Sequence, residues 1–206
     1  MKGLLFITHQ TDKYNYLQSI EMALSGGCRQ IQLRMKDSSI EDIQNVGIEA
    51  KKMCSNYNAD LYIDDHVEIC KQLQLAGVHL GKSDMLPSKA REILGDNFII
   101  GGTANTFEDI QRLKNEGVDY IGLGPFKFTN TKKKLSPILG LSGYQTIIKQ
   151  CKQHNIYLPI IAIGGITIED IPSLQNVGVS GIALSSTILN SENPIEQTNK
   201  IINLIN

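Results

Sequence analysis

Residues 117–125 read Gly-Val-Asp-Tyr-Ile-Gly-Leu-Gly-Pro, and this pattern predicts a short buried strand bounded by glycine on both sides. The first glycine ends a helical segment, and the Gly-Pro pair is where a strand cannot continue. The polar segment that follows has no helical pattern before Ser142, and it contains Thr129, Thr131 and Lys132. A connection of this length is usually functional or disordered. The segment alone therefore leaves two interpretations open, a phosphate-binding loop and a solvated basic loop.

The same local order recurs elsewhere in the chain. Residues 77–81 and 178–183 also show glycine, valine, a polar or small residue and then a strand-like run. In each copy a glycine ends a helical segment and a strand follows at once. The recurrence suggests several copies of one βα unit.

Strand-like runs alternate with amphipathic helical segments along the whole chain, which predicts a parallel sheet. Eight such units in 206 residues predict an α/β fold, a single (β/α)8 TIM barrel with parallel strands, formed by one catalytic domain over residues 1–206. An open doubly wound sheet is the alternative, and it is disfavoured because no G-x-G-x-x-G motif follows the first strand. The predicted strands are 4–8, 30–34, 60–63, 77–80, 98–101, 120–123, 159–163 and 181–184, and the predicted helices are 16–24, 40–53, 87–94, 107–113, 144–151, 168–174 and 194–205.

Composition narrows the function classes. Twenty Lys and Arg residues balance 21 Asp and Glu residues, so the net charge of −1 argues against general nucleic-acid binding. The four cysteines match no zinc spacing and suit a reducing cytoplasm. No apolar run is long enough for a membrane span, and the N-terminus does not resemble a signal peptide. We therefore expect a cytoplasmic protein without nucleic-acid or membrane partners; its oligomeric state is open, a homo-oligomer included.

In a barrel of this type the functional site forms at the C-terminal ends of the strands. Gln32, Arg34 and Lys36 alternate at the end of the second predicted strand, so in extended chain they share one face. Two cations and an amide there could bind a diphosphate and the edge of a heterocycle. The alternative is a solvated strand end.

Carboxylates follow the next two predicted strands. Asp64 and Asp65 come after the third strand and Asp84 comes soon after the fourth, and oxygen ligands of this kind suit Mg²⁺. The alternatives are a helix N-cap for the aspartate pair and a turn residue for Asp84. Lying on adjacent strands, the carboxylates together predict a Mg²⁺ site.

Small and hydroxyl residues follow the later strands. Gly165, preceded by another glycine, follows the seventh strand, and Ser185 and Ser186 follow the eighth. TIM barrels often bind phosphate at these two loops, although ordinary tight turns are the alternative. Thr103, beside two glycines, offers a further hydroxyl after the fifth strand, and His79 is interpreted as a hydrogen-bonded core histidine.

These motifs resemble those of the thiamine phosphate synthase family. They occur in that family's order from strand two to strand eight, and the Q-L-R-x-K and T-x-T-K elements are the most specific. The resemblance rests on residues 32–36 (Gln-Leu-Arg-Met-Lys), 64–65 (Asp-Asp), 78–81 with Asp84 (Val-His-Leu-Gly…Asp), 122–125 (Gly-Leu-Gly-Pro), 129–132 (Thr-Asn-Thr-Lys) and 162–166 (Ala-Ile-Gly-Gly-Ile).

The resemblance implies a Mg²⁺-dependent transferase of thiamine biosynthesis on a (β/α)8 barrel. The enzyme joins 4-amino-2-methyl-5-hydroxymethylpyrimidine diphosphate to 4-methyl-5-(2-hydroxyethyl)thiazole phosphate, releasing diphosphate. The resemblance further implies that Arg34, Lys36 and Lys132 stabilise the departing diphosphate. By motif, the pyrimidine diphosphate would be bound by residues 32–36 (Gln32, Arg34 and Lys36 among them), Asp64, Thr103 and Lys132, Mg²⁺ by Asp65 and Asp84, and the thiazole phosphate by Thr129, Thr131, Gly165, Ser185 and Ser186.

The chain departs from the family's usual residues at several of these positions. Asp64 stands where Asn is usual, Lys82 where Gln is usual and Thr103 where Ser is usual. We hypothesise that Lys82 offsets the added charge of Asp64. We also expect the loop at residues 125–141 to close on the ligand, because Lys132 must reach the diphosphate from it.

Three other functions share the predicted barrel. A thiazole tautomerase-like isomerase would keep the thiazole phosphate pocket without the diphosphate and Mg²⁺ site. A non-catalytic regulator would bind a phosphorylated metabolite. Another phosphate-binding barrel enzyme, such as an isomerase of an aminated sugar phosphate, would need a general acid–base pair that the sequence does not supply.

Overall fold

The computed structural model describes residues 1–129 and 136–205 of the chain. Eight strands within these ranges form a closed barrel in chain order, and every neighbouring pair, including the first and last strands, is parallel. The predicted (β/α)8 barrel is confirmed, and the open doubly wound sheet is wrong. The strands are β1 (Gly3–Ile7), β2 (Gln30–Leu33), β3 (Asp60–Asp64), β4 (Gly77–Leu80), β5 (Ile99–Ala104), β6 (Tyr120–Leu123), β7 (Ile160–Ile163) and β8 (Gly181–Leu184).

Helices of the described residues surround the barrel. Two of them start at capping boxes, where the side chains of Asn15 and Thr106 accept from backbone N–H groups of the first turn. The helices are α1 (Tyr16–Ser25), α2 (Ile40–Asn56), α3 (Val67–Gln72), α4 (Pro87–Leu94), α5 (Phe107–Asn115), α6 (Gly140–Gln153), α7 (Ile171–Val177), α8 (Ser186–Leu189) and α9 (Pro194–Ile205).

Three details of the predicted elements were wrong. Strand β5 continues to Ala104, so Thr103 lies within the strand rather than after it. Asp64 is likewise the last residue of β3, and His66 is the N-cap of α3, so the aspartate pair does not form the N-cap. The short helices α3 and α8 had not been assigned as elements.

The interior divides into two apolar clusters because successive side chains of each strand point to opposite faces. Leu4 and Phe6 of β1 belong to the large cluster between barrel and helices. Leu5 and Ile7 belong to a small cluster inside the barrel, with Tyr62, Tyr120, Ile161 and Ala183. The small inner cluster fills the barrel below the site, so the mouth above it is left for a ligand.

Candidate active site

A cavity of about 770 Å³ opens at the C-terminal ends of the strands. It is joined to a smaller pocket of about 70 Å³ through shared lining residues that include Arg34 and Thr129. Eight predicted site residues line the large cavity: Gln32, Arg34, Lys36, Asp64, Asp65, Asp84, Thr103 and Thr129. Gly165, Ser185 and Ser186 line the small pocket, whereas Thr131 and Lys132 lie outside the described residues.

The two halves of the cavity differ in polarity. Strands β1, β7 and β8 present an apolar wall, formed by Leu5, Ile7, Ile161, Ile163 and Ala183. The strands opposite present a polar wall, which includes Gln32, Asp64, His79, Thr103 and Tyr120. A flat, partly polar ligand would therefore find hydrogen-bonding groups on one side and dry contact on the other.

Asp64 organises the end of strand β2. Its side chain accepts a hydrogen bond of 2.7 Å from Gln32 Nε2, and Arg34 Nε lies 3.3 Å from its other oxygen. Asp64 is 8% exposed. The carboxylate therefore holds the amide and the guanidinium that the sequence assigns to the pyrimidine diphosphate.

Thr8, which the sequence interpretation did not assign to the site, fixes the backbone of Arg34. Its buried hydroxyl accepts from Arg34 N at 2.9 Å and lies 3.3 Å from Arg34 O, which continues the pairing of β1 with β2 beyond the strand ends. The position of Thr8 at the end of the first predicted strand was the sequence signal that could have assigned it to the site. His9, the next residue, lines both the cavity and the small pocket.

Asp65 and Asp84 approach each other above strands β3 and β4. Lys36 Nζ donates to Asp65 at 2.9 Å, and Gly81 N donates to Asp84 at 2.7 Å. Burial and the adjacent Asp65 raise the pKa of Asp84. At Asp65, burial acts to raise the pKa, but hydrogen bonds from Asp84 and Lys36 outweigh it and lower the pKa. Of the two carboxyl groups, Asp84 is therefore the one that takes up a proton first as the pH falls.

This carboxylate pair fits Mg²⁺. No group of three or more His, Cys, Asp or Glu side chains within residues 1–129 and 136–205 is arranged to hold a metal. Mg²⁺, however, commonly takes only one or two carboxylates and completes its shell with water and phosphate. Asp65 also has φ +66°, a left-handed conformation that costs energy in a residue with a side chain and that is enriched at functional sites.

Lys82 forms an ion pair with Asp109, and the hypothesis that it offsets the charge of Asp64 stays a prediction. Its Nζ lies 2.6 Å from Asp109 Oδ2, and Arg34 is the cation beside Asp64. The sequence could not indicate this pairing because Asp109 lies in the first turn of α5, where it also caps that helix.

The small pocket has the shape of an anion site. Gly164 and Gly165 have φ of +97° and +65°, and a Cβ on Gly165 would lie 2.4 Å from the Phe128 carbonyl oxygen. Ser185 Oγ is buried and has no hydrogen-bond partner among the described residues. A buried hydroxyl without a partner is costly, which points to a ligand atom at this position. Ser186 begins helix α8 at the same rim.

The segment that carries Thr129 is anchored beside this pocket. Lys127 N donates to Gly164 O at 2.9 Å, and Lys127 Nζ pairs with Asp170 at 2.7 Å. On the far side, Leu139 N donates to Pro125 O at 2.9 Å. The expected closure of residues 125–141 stays a prediction, since part of that segment lies outside the described residues.

Asn105 was missed by the sequence interpretation, although it lines the cavity directly after β5. Its amide donates to Gly124 O and its carbonyl oxygen accepts from Ser136 Oγ at 2.9 Å. The sequence signal was weak, because the predicted strand ended at residue 101 and Asn105 directly follows only the longer strand of the structure. Every helix of the described residues is too short or too polar to cross a bilayer.

Comparison with known proteins identifies close relatives. Residues 4–188 match the family model for thiamine monophosphate synthase. The thiamine-phosphate synthase of Bacteroides thetaiotaomicron is 56% identical over 99% of this chain and 98% of its own length. The thiamine-phosphate synthase of Phocaeicola vulgatus is 57% identical over 98% of this chain and 97% of its own length.

Solved structures agree with the family match. A thiamine phosphate pyrophosphorylase from Pyrococcus furiosus superposes with a TM-score of 0.87 at 28% identity, covering 98% of this chain and 95% of that one. A 3-hexulose-6-phosphate synthase superposes with a TM-score of 0.71 at 14% identity and covers all of both chains. The second likeness concerns the fold alone.

Proposed function

The chain belongs to the thiamine monophosphate synthase family, and from this premise we propose how its residues carry out that family's reaction. Its function is thiamine-phosphate synthesis, in which the pyrimidine diphosphate and the thiazole phosphate are joined and diphosphate is released. The observation that carries the residue assignment is the pairing of two unlike anion sites across one cavity. A cation- and carboxylate-rich side faces a glycine- and serine-lined pocket.

The pyrimidine diphosphate binds on the polar wall in this proposal. Gln32 and Asp64 contact the heterocycle edge, and Arg34 and Lys36 approach the diphosphate. Support comes from the hydrogen bonds that hold Gln32 and Arg34 on Asp64. The two cations stabilise the negative charge that develops as the diphosphate departs, and the match to the family's T-x-T-K motif assigns Lys132 as a third cation.

The thiazole phosphate binds in the small pocket. Gly165 permits close approach of an anion to the backbone, and Ser185 and Ser186 donate hydroxyl hydrogen bonds to the phosphate, with Thr129 and Thr131 contributing from the loop. Support comes from the unpartnered Ser185 hydroxyl and from the position of Thr129 in the lining of both pockets. Placing the two substrates face to face supplies much of the rate by proximity.

We assign Mg²⁺ to Asp65 and Asp84. When bound, the ion neutralises charge on the diphosphate leaving group. Lys36 hydrogen-bonds Asp65 and so orients that carboxylate. No protein base is assigned, because the thiazole nitrogen attacks as a neutral nucleophile and releases no proton.

The rival functions receive less support from the geometry. A thiazole tautomerase would not need Arg34, Lys36 and the carboxylate pair that line the large cavity. An isomerase of an aminated sugar phosphate would need an acid–base pair across the mouth, and His79 is engaged with two neutral hydroxyl groups instead. We further propose a cytoplasmic location and small-molecule partners only, with a homo-oligomer compatible with both.

The test is turnover of both substrates with Mg²⁺ and with a chelator. Metal-dependent diphosphate release matched by thiamine phosphate supports the full proposal. Turnover that persists in chelator would remove Mg²⁺ from it. Tight binding of the thiazole phosphate without any turnover would contradict the synthase and favour the tautomerase or the regulator.

A further inference from the structure

Three polar side chains form a hydrogen-bonded row along the polar wall of the cavity. Tyr120 OH lies 3.0 Å from His79 Nδ1, and His79 Nε2 lies 2.9 Å from Thr103 Oγ1. Tyr120 is 1% exposed and His79 is 9% exposed. The three residues come from strands β6, β4 and β5, and the row runs from the buried barrel interior to the mouth.

The inner face of the barrel makes room for this row. A Cβ on Gly101 would lie 2.1 Å from the Tyr120 ring atom Cζ, and a Cβ on Gly122 would lie 2.9 Å from His79 Cε1. Two inward-facing positions next to the row therefore carry no side chain. Because polar groups inside a barrel are costly unless paired, an arrangement with two such glycines indicates a specific role for the row.

The direction of each hydrogen bond follows from the buried phenol. Burial raises the pKa of Tyr120 well above its usual range, so its hydroxyl keeps its proton and needs an acceptor. His79 Nδ1 is the acceptor within reach, which leaves the ring proton on Nε2 as a donor to Thr103. The Thr103 oxygen accepts that bond, and its own proton remains for an acceptor in the cavity.

We propose that His79 is a positioning residue that turns the Thr103 hydroxyl into a hydrogen-bond donor toward an anionic oxygen of the ligand, namely the diphosphate of the pyrimidine substrate. Tyr120 fixes the ring tautomer that this role requires. The identification of the oxygen as diphosphate rests on the proposed function. The expected contribution is one hydrogen bond to a charged acceptor, which corresponds to about tenfold in affinity.

Two substitutions of His79 separate this role from simple packing. The side-chain amide of His79→Gln lies near the position of Nε2 and can still donate to Thr103. The shorter amide of His79→Asn lies near the position of Nδ1, so it can bond to Tyr120 but not to Thr103. Inorganic diphosphate with Mg²⁺ serves as the probe in titration calorimetry. We expect His79→Asn to weaken binding about tenfold and His79→Gln to recover most of that loss. Equal losses in the two folded variants would overturn the proposal.

A second pair of variants keeps the test valid if the His79 variants do not fold. Tyr120→Phe removes the hydroxyl that donates to His79 Nδ1. Tyr144→Phe is the matched control, because it removes an equally buried tyrosine hydroxyl that donates to Leu123 O and lies outside the row. We expect severalfold weaker diphosphate binding only in Tyr120→Phe. Equal binding by the two variants would contradict the inference.

Turnover distinguishes this inference from the proposed function. In an active enzyme, His79→Asn should raise KM for the pyrimidine diphosphate and leave KM for the thiazole phosphate unchanged. The double variant His79→Asn/Thr103→Val should lose no more affinity than Thr103→Val alone, because each substitution abolishes the hydrogen bond from Thr103 to the diphosphate. Additive losses would count against the proposal. A wild-type protein that binds diphosphate without making thiamine phosphate would contradict the function, while the calorimetric comparison would still decide the role of His79.

Discussion

Replacing Asp64 with asparagine should tighten diphosphate binding while it destabilises the protein. The carboxylate lies 3.3 Å from Arg34 Nε and is 8% exposed. Asparagine keeps an acceptor for the 2.7 Å hydrogen bond from Gln32, but an uncharged amide N–H group replaces the oxygen that faces Arg34. The change therefore separates the electrostatic role of Asp64 from its role in orienting Gln32.

The magnitude follows from the geometry. With an effective dielectric constant of about 20, charges 3.3 Å apart attract by about 5 kcal/mol before desolvation is counted. Desolvation offsets much of this attraction, so we expect a net stability loss of about 1–2 kcal/mol. For a chain of this size that corresponds to a decrease in Tm of roughly 2–8 °C. Arg34 gains freedom to bind diphosphate, and the nearby negative charge is removed, so affinity should rise about three- to tenfold.

Calorimetry with inorganic diphosphate and Mg²⁺, together with thermal unfolding, measures both effects. Lys82→Gln serves as the control in both backgrounds. Because Lys82 pairs with Asp109, it should change the affinity by the same factor whether residue 64 is Asp or Asn. Weaker or unchanged diphosphate binding in folded Asp64→Asn would refute the reasoning, since it would mean that the charge itself orients Arg34 for the ligand.

Three further predictions concern other parts of the site. Gly165→Ala should lower the affinity for the thiazole phosphate at least tenfold, because φ is +65° and the new Cβ would meet the Phe128 carbonyl oxygen; unchanged KM for the thiazole phosphate would contradict this. Asp84→Asn should raise the Mg²⁺ concentration needed for half-maximal turnover about tenfold or more, and an unaltered Mg²⁺ titration would remove Asp84 from the metal site. At Asp109, burial acts against ionisation, but the hydrogen bond from Lys82 lowers the pKa overall. The resulting stability is present above the unfolded pKa of about 3.9 and is lost as pH falls through the folded value, so the stability gap between wild type and Asp109→Asn should narrow below about pH 4; a constant gap in acid unfolding would show that the pairing does not stabilise the fold.

The strands were predictable where a glycine precedes a short apolar run. Residues 77–80, 120–123 and 181–184 were predicted with the bounds that the structure has. Strand β5 was predicted too short because the Gly101-Gly102 pair was interpreted as the end of the strand. In the barrel these glycines lie within the strand and give room to Tyr120 and Leu113 on opposite faces.

The site was predictable as a set of residue types at strand ends, but its pairings were not. Sequence spacing placed Gln32 and Arg34 on one face, yet it could not show that Asp64 binds both. The expectation that His79 is a hydrogen-bonded core residue is confirmed, but its place in the cavity lining was not foreseen. Contacts between strands depend on barrel register, which is a property of the closed sheet and not of any one segment.

The apolar wall of the cavity has a consequence for how efficiently the pyrimidine is used. Once its diphosphate departs, the activated pyrimidine can be captured by the thiazole or by a water molecule, and the second route wastes it as an alcohol. Ile7, Ile163 and Ala183 line both the large cavity and the small pocket, so hydrocarbon borders the passage between the two proposed substrate positions. Water held there would find few hydrogen-bond partners on that side. The ratio of diphosphate released to thiamine phosphate formed is therefore a measure of how dry this passage stays, and a ratio near one is what its lining favours.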